Sequence, residues 1–229
     1  MHYSDAEAGF AASGGLFVSP MLQMAQKAKD VNTLIFDWDG VFHEGQKDSA
    51  GSSRFSEVDS MGVNMLRFGL FLQNGVLPFT AILTGENNPT AQAFAKREHF
   101  DLMVYQAKDK KSVFERLAIS ENLHAQQAAF FFDDILDLGL AREVGVRFYL
   151  LRKANPMLNQ YVFQHKMADY ASGSSGGQHG LRECCEVMLA AMKQFQATLE
   201  HRAQMSPVYL DYWEQRNQRE TKIVSANDL

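Results

Sequence analysis

Short, mostly apolar runs recur along this chain with helix-patterned segments between them, and this alternation limits the possible folds more than any other feature. The runs fall at 33–36, 79–83, 102–105, 129–132 and 146–151, and the helical spacing at 61–72, 89–97, 111–117 and 136–143. A strand apolar at nearly every position must be covered on both faces, and strands separated by helices pair in parallel. The pattern therefore predicts an α/β fold, a Rossmann-like three-layer sandwich around a mainly parallel central sheet. In such sheets ligands bind beyond the carboxyl ends of the strands. The residues that follow each run are where chemistry is to be sought.

The ends of the chain read differently. Residues 1–19 are small and polar up to Pro20 and predict a flexible amino-terminal arm, followed by a short helix at 21–28. Residues 20–200 form the expected core, and its last part is a loop at 171–180, Ala-Ser-Gly-Ser-Ser-Gly-Gly-Gln-His-Gly, before a helix of about 181–200. Ser206 followed by Pro207 is a helix start signal, so 201–229 reads as a helical extension that frays after Gln218.

Composition narrows the partners. A net charge of -5 argues against nucleic acid, which is bound through clustered Lys and Arg. No apolar run is long enough to span a bilayer, and Asp5 and Glu7 stand where a secretory leader needs cations. The two cysteines, Cys184 and Cys185, are adjacent and build no disulfide framework. A cytoplasmic location is the expectation.

The richest stretch is Thr33-Leu-Ile-Phe-Asp37-Trp-Asp39-Gly40-Val41, a buried strand ending in two carboxylates and a glycine. Residues two apart on a strand share a face, so Asp37 and Asp39 are expected to point together, as nucleophile and as acid and base. Gly40 lets the chain turn sharply and brings amides near an anion. The run 79–83 ends in Thr84 and Gly85, a hydroxyl and an amide at the same edge. Lys110 opens the next amphipathic segment, with Lys108 and Lys111 as bystanders. The run 129–132 ends in Asp133, Asp134 and Asp137. Buried carboxylates need compensation, commonly from a divalent cation, although acids at a helix start also suit its dipole.

Taken together, Asp37 to Gly40, Thr84, Lys110, and Asp133 with Asp134 or Asp137 resemble, in order, the four motifs of the haloacid dehalogenase superfamily. The resemblance implies a phosphatase in which Asp37 takes up the phosphoryl group and Asp39 serves as acid and base. Gly40, Thr84, Gly85 and Lys110 would hold the phosphoryl oxygens. Mg²⁺ would sit among Asp37, the Asp39 backbone carbonyl and Asp133, with Asp134 and Asp137 as supporting acids. The intervals between the motifs leave no room for a folded cap. A capless chain is similar to the 3-deoxy-D-manno-octulosonate 8-phosphate phosphatase branch, a likeness carried also by Phe55-Ser-Glu-Val-Asp59, by Gly176-Gly177 and by Leu181-Arg182-Glu183. That branch implies a small phosphorylated substrate such as a sugar or sugar-acid phosphate, and a homo-oligomer, in those relatives a tetramer. Phe132 and Glu86 depart from its pattern, and 42–54 is shorter than its hairpin. Alternatives are a phosphatase for a bulky or protein substrate, and a non-catalytic interaction module on the same fold.

Overall fold

The computed structural model describes residues 2–229. Eight strands form one sheet: β1 (Leu16–Phe17), β2 (Thr33–Phe36), β3 (Phe79–Leu83), β4 (Leu102–Tyr105), β5 (Ala128–Phe132), β6 (Val146–Tyr149), β7 (Tyr170–Ala171) and β8 (Lys222–Ser225). Their order is β1-β7-β6-β5-β2-β3-β4-β8, with every pair parallel except β1 with β7. The chain therefore runs from β2 outward to β3 and β4 on one side and returns to β5 on the other. A switch point opens at the carboxyl end of β2.

Helices cover both faces: α1 (Tyr3–Ala12), α2 (Met21–Ala28), α3 (Glu57–Asn74), α4 (Pro89–Arg97), α5 (Lys110–Ser120), α6 (Leu138–Ala141), α7 (Pro156–Gln164), α8 (Gly180–Ala191), α9 (Phe195–Ala203) and α10 (Pro207–Asn217). Strand residues alternate between the two layers. Leu34, Phe36 and Phe131 pack with α2, α3 and α8, whereas Ile35, Phe130 and Phe132 pack with α5, α6 and α7. Phe36 and Phe148 stack on Phe131 from either side, at 4.6 and 4.7 Å between ring centroids. Burying such runs on both faces supplies most of the folding drive.

Local signals set the element ends. Ser56 caps α3 through the Val58 amide at 3.1 Å, and Gly75, at φ 73°, ends it in the left-handed conformation. Asn88 caps α4 through the amides of Thr90 and Ala91, with Pro89 at the first helical position.

The termini correct the sequence reading. Residues 1–19 are no loose arm: α1 buries Ala6 and lays Tyr3 and Phe10 against the core, and β1 closes one sheet edge. Two residues of strand are too few for periodicity to betray. The tail after Gln218 forms β8, which pairs with β4 along Leu102 to Tyr105 and closes the other edge. The helix expected at about 181–200 is two, α8 and α9, and the segment 136–143 holds only a 3₁₀ turn (Ile135–Asp137) and α6. Cys184 and Cys185 are buried on α8 as free thiols.

Candidate active site

β2 delivers Asp37 to the switch point. The Asp37 amide still donates to the Phe131 carbonyl at 3.0 Å, so the ladder fixes its backbone before the chain leaves the sheet. Ile35 faces the α5 layer, and Asp37, two residues on, meets Lys110 there, with Nζ 2.5 Å from Oδ1. Trp38 turns into the opposite layer and stacks on Phe42 at 4.6 Å.

Lys110 is the first helical residue of α5, held at that edge because Asp109 caps the helix through the Ser112 amide. Its ammonium is 2% exposed and also pairs with Asp137. The other Asp137 oxygen accepts the amides of Asp133 and Asp134, at 3.4 and 3.1 Å. Asp133 follows β5 directly. One of its oxygens pairs with Arg152, and the other is buried with no hydrogen-bond partner among the described residues.

Three carboxylates thus meet: ligand oxygens of Asp37, Asp133 and Asp137 lie within 4.8 Å of one another, all buried. Gly40, at φ +89°, closes this cluster from the side, and any β-carbon there would strike the Asp133 carboxylate and the Arg152 guanidinium. Burial pushes Asp37 up to about 7 against the opposing pull of Lys110, and Asp137 adds to the rise. Burial also drives Asp133 well above the usual carboxylate range, with Asp37 and Asp137 pushing the same way. Lys110, despite burial, is held above the ordinary ammonium value by Asp137 and Asp37. Acids this reluctant to ionise, one with an orphaned oxygen, fit a divalent cation, which would offset their repulsion. Asp137 has both oxygens engaged, so Asp37 and Asp133 are the carboxylates better placed to hold it.

Asp39 looks elsewhere. Its Oδ1 is 3.0 Å from His43 Nε2, and its Oδ2 is 2.8 Å from Lys47 Nζ and 3.3 Å from the Thr84 hydroxyl, which donates to it. Burial alone would raise its carboxyl, but the hydrogen bonds from His43 and Lys47 outweigh that and hold it below the usual range. Thr84 is buried at the end of β3, and Gly85 beside it is half-buried. An open cleft of about 600 Å³ adjoins this corner, walled by the loop from Phe42 to Ser56 and by Gly177.

The remaining residues singled out in the sequence fall outside the cluster. Asp134 caps the 3₁₀ turn through the Ile135 amide at 2.7 Å. Glu86 is exposed and does not line the cleft, and Phe132 stacks on Phe130. Lys111 pairs with Glu143 on the surface. Arg182 donates its backbone amide to Asp59 and pairs with Glu186. Sequence reasoning missed Arg152, although it stands immediately after the run 146–151, at the edge where site residues gather. Nothing in the sequence signals Lys47.

No protein-family profile matches the chain. Solved structures do. A probable YrbI-family phosphatase from Pseudomonas syringae superposes with TM-score 0.66 at 26% identity, covering 79% of this chain and 97% of that one. A 3-deoxy-D-manno-octulosonate 8-phosphate phosphatase from Moraxella catarrhalis, solved with magnesium, phosphate and a KDO molecule, gives 0.63 at 25%, covering 77% and 96%. A putative haloacid dehalogenase superfamily hydrolase (subfamily III A) from Legionella pneumophila gives 0.65 at 24%, covering 80% and 94%. The chain belongs to the haloacid dehalogenase superfamily.

Within that superfamily it is a capless member. Between Asp39 and Thr84 the described residues hold only the loop, α3 and β3, and between Thr84 and Lys110 only α4 and β4. The glycine loop before α8 buttresses the first motif: a β-carbon on Gly176 would strike the Gly40 carbonyl, and one on Gly177 would come within 2.7 Å of the Glu44 amide. Among the described residues no helix is long and apolar enough to cross a membrane.

Proposed function

We propose that this protein is a magnesium-dependent phosphatase that hydrolyses the phosphomonoester of a small metabolite, such as a sugar or sugar acid, through a phosphoaspartate at Asp37. One observation carries the reading: Asp37, Lys110 and Asp133, from separate segments, meet in one buried cluster, and Asp39, two residues from Asp37, pairs with His43 and Lys47 on the wall of an open cleft. A surface ion pair would need neither the burial nor the third acid. The solved relatives named as phosphatases support the same reading.

In this mechanism an Asp37 oxygen attacks phosphorus and the ester oxygen departs, taking a proton from Asp39. Water, giving its proton back to Asp39, then attacks the phosphoaspartate and frees the carboxylate. Lys110 holds the nucleophile in line and, with the Thr84 hydroxyl and the Gly85 amide, grips the phosphoryl oxygens. Mg²⁺, held by Asp37, Asp133 and the Asp39 backbone carbonyl, would supply further neutralisation of phosphoryl charge. Assembly into a homo-oligomer, as a tetramer, and a cytoplasmic setting belong to the same proposal.

The test is hydrolysis of p-nitrophenyl phosphate and of a panel of phosphorylated metabolites, with Mg²⁺ and with chelator. The reading expects activity that requires the cation and is lost in Asp37→Asn. Full activity in that variant would refute it.

A further inference from the structure

Asp39 is the proton donor in the mechanism above, yet both its oxygens already have partners. His43 Nε2 lies 3.0 Å from Oδ1, while His43 Nδ1 lies 3.1 Å from the Gly45 backbone nitrogen. A backbone amide can only donate, so Nδ1 must keep its lone pair and the ring proton must sit on Nε2, aimed at Asp39. The ring is 4% exposed and lies against Trp38, with centroids 6.0 Å apart, so it cannot turn without breaking both bonds. Oδ1 is thereby fixed as an acceptor. Oδ2, by contrast, borders groups that can yield: the Thr84 hydroxyl and the Lys47 ammonium, whose side chain is 26% exposed on the wall of the cleft.

We propose that His43 is a positioning residue that reserves Oδ1 of Asp39, so that Oδ2 alone exchanges a proton with substrate, the leaving group entering from the cleft where Lys47 now sits. The inference rests on the phosphatase reading. As the bond from phosphorus to the ester oxygen breaks, its electron pair goes to that oxygen, which takes the proton from Oδ2 and leaves as the alcohol. The water that next attacks phosphorus returns a proton to the same Oδ2, so the cycle closes with both carboxyl groups restored.

A misaligned acid harms poor leaving groups most, because a good one departs without protonation. The experiment compares kcat/KM for glycerol phosphate and for p-nitrophenyl phosphate, with Mg²⁺, in the wild-type protein and in His43→Phe, which keeps a ring against Trp38 but loses both nitrogens. The expected loss is about 10- to 100-fold greater on the alkyl ester than on the aryl ester. His43→Gln, whose amide can both donate to Asp39 and accept from Gly45, is expected to keep the wild-type ratio of the two. Equal losses on both esters in folded His43→Phe, or a selective loss that His43→Gln fails to repair, would overturn the role of His43 while leaving the phosphatase intact. Should His43→Phe not fold, His43→Leu serves with the same two outcomes. A wild-type protein that hydrolyses neither ester would instead overturn the proposed function itself.

Discussion

Lys110 stands at the amino terminus of α5, where a helix disfavours a cation, and it is buried besides. Two carboxylates, Asp37 and Asp137, reverse that penalty. Removing the ammonium would strand both acids without compensation. Lys110→Met is therefore expected to lose about 3–5 kcal/mol in denaturant unfolding of the metal-free protein. Unchanged stability would mean that the acids are already neutral without it. Arg152 makes the converse case, since its guanidinium pairs with one oxygen of Asp133, beside the unpartnered oxygen that a cation would take. Arg152→Gln is expected to lower the half-saturating Mg²⁺ concentration by about tenfold, read by calorimetric titration, because a repelling charge has gone. Weaker binding in that variant would show that the guanidinium supports the cation. At this scale the sequence told which residues share an edge, since Asp37, Thr84 and Asp133 each end an apolar run. Which oxygen faces which partner was not legible. The pairing of Asp39 with His43 and Lys47 depends on how a loop without periodicity folds back on itself.

Elements were legible in proportion to their burial. The strands β2 to β6 and the helices α3, α4 and α5 stand out because continuous or periodic apolar patterns are what a doubly covered sheet demands. The pieces at the rim, α1, β1, α7, β7 and β8, bury too few side chains to leave a pattern. α10 shows how such a piece is anchored: Tyr212 is buried against Phe68 and Phe71, at 5.0 and 5.6 Å between centroids, and its hydroxyl donates to the Asn64 carbonyl at 3.2 Å. Arg216 adds an ion pair to Glu98 at 3.3 Å. Tyr212→Ala should cost about 3–5 kcal/mol, the ordinary range for emptying a large aromatic site. Activity per folded molecule should be retained, because α10 does not touch the acidic cluster. A drop in specific activity without a drop in stability would contradict this division between anchor and site.

For the molecule as a whole, the cluster ties stability to pH in an unusual direction. Asp37 is raised to about 7 from an ordinary 3.8, so the folded protein binds this proton more tightly than the unfolded chain does. Folding stability from this group therefore falls as pH rises from the lower value towards the higher, and the penalty is complete above it. A cation that binds the ionised acids relieves the penalty. The rise in Tm on adding Mg²⁺ should thus be larger at about pH 8 than at about pH 5. An equal rise at both would separate cation binding from the ionisation of the cluster. The fold class was legible at this scale from the alternation of runs and helices, whereas the closing of both sheet edges by the chain termini was not.

The central claim is that the phosphoryl group passes through Asp37, and trapping the intermediate tests it most directly. An acyl phosphate is reduced by borohydride to an alcohol, which would convert the acceptor aspartate to homoserine. Protein quenched during turnover of p-nitrophenyl phosphate and then reduced should carry that change at position 37, found by peptide mass spectrometry, and at no other acid. Continued hydrolysis with the change at another aspartate, or with none, would contradict the account.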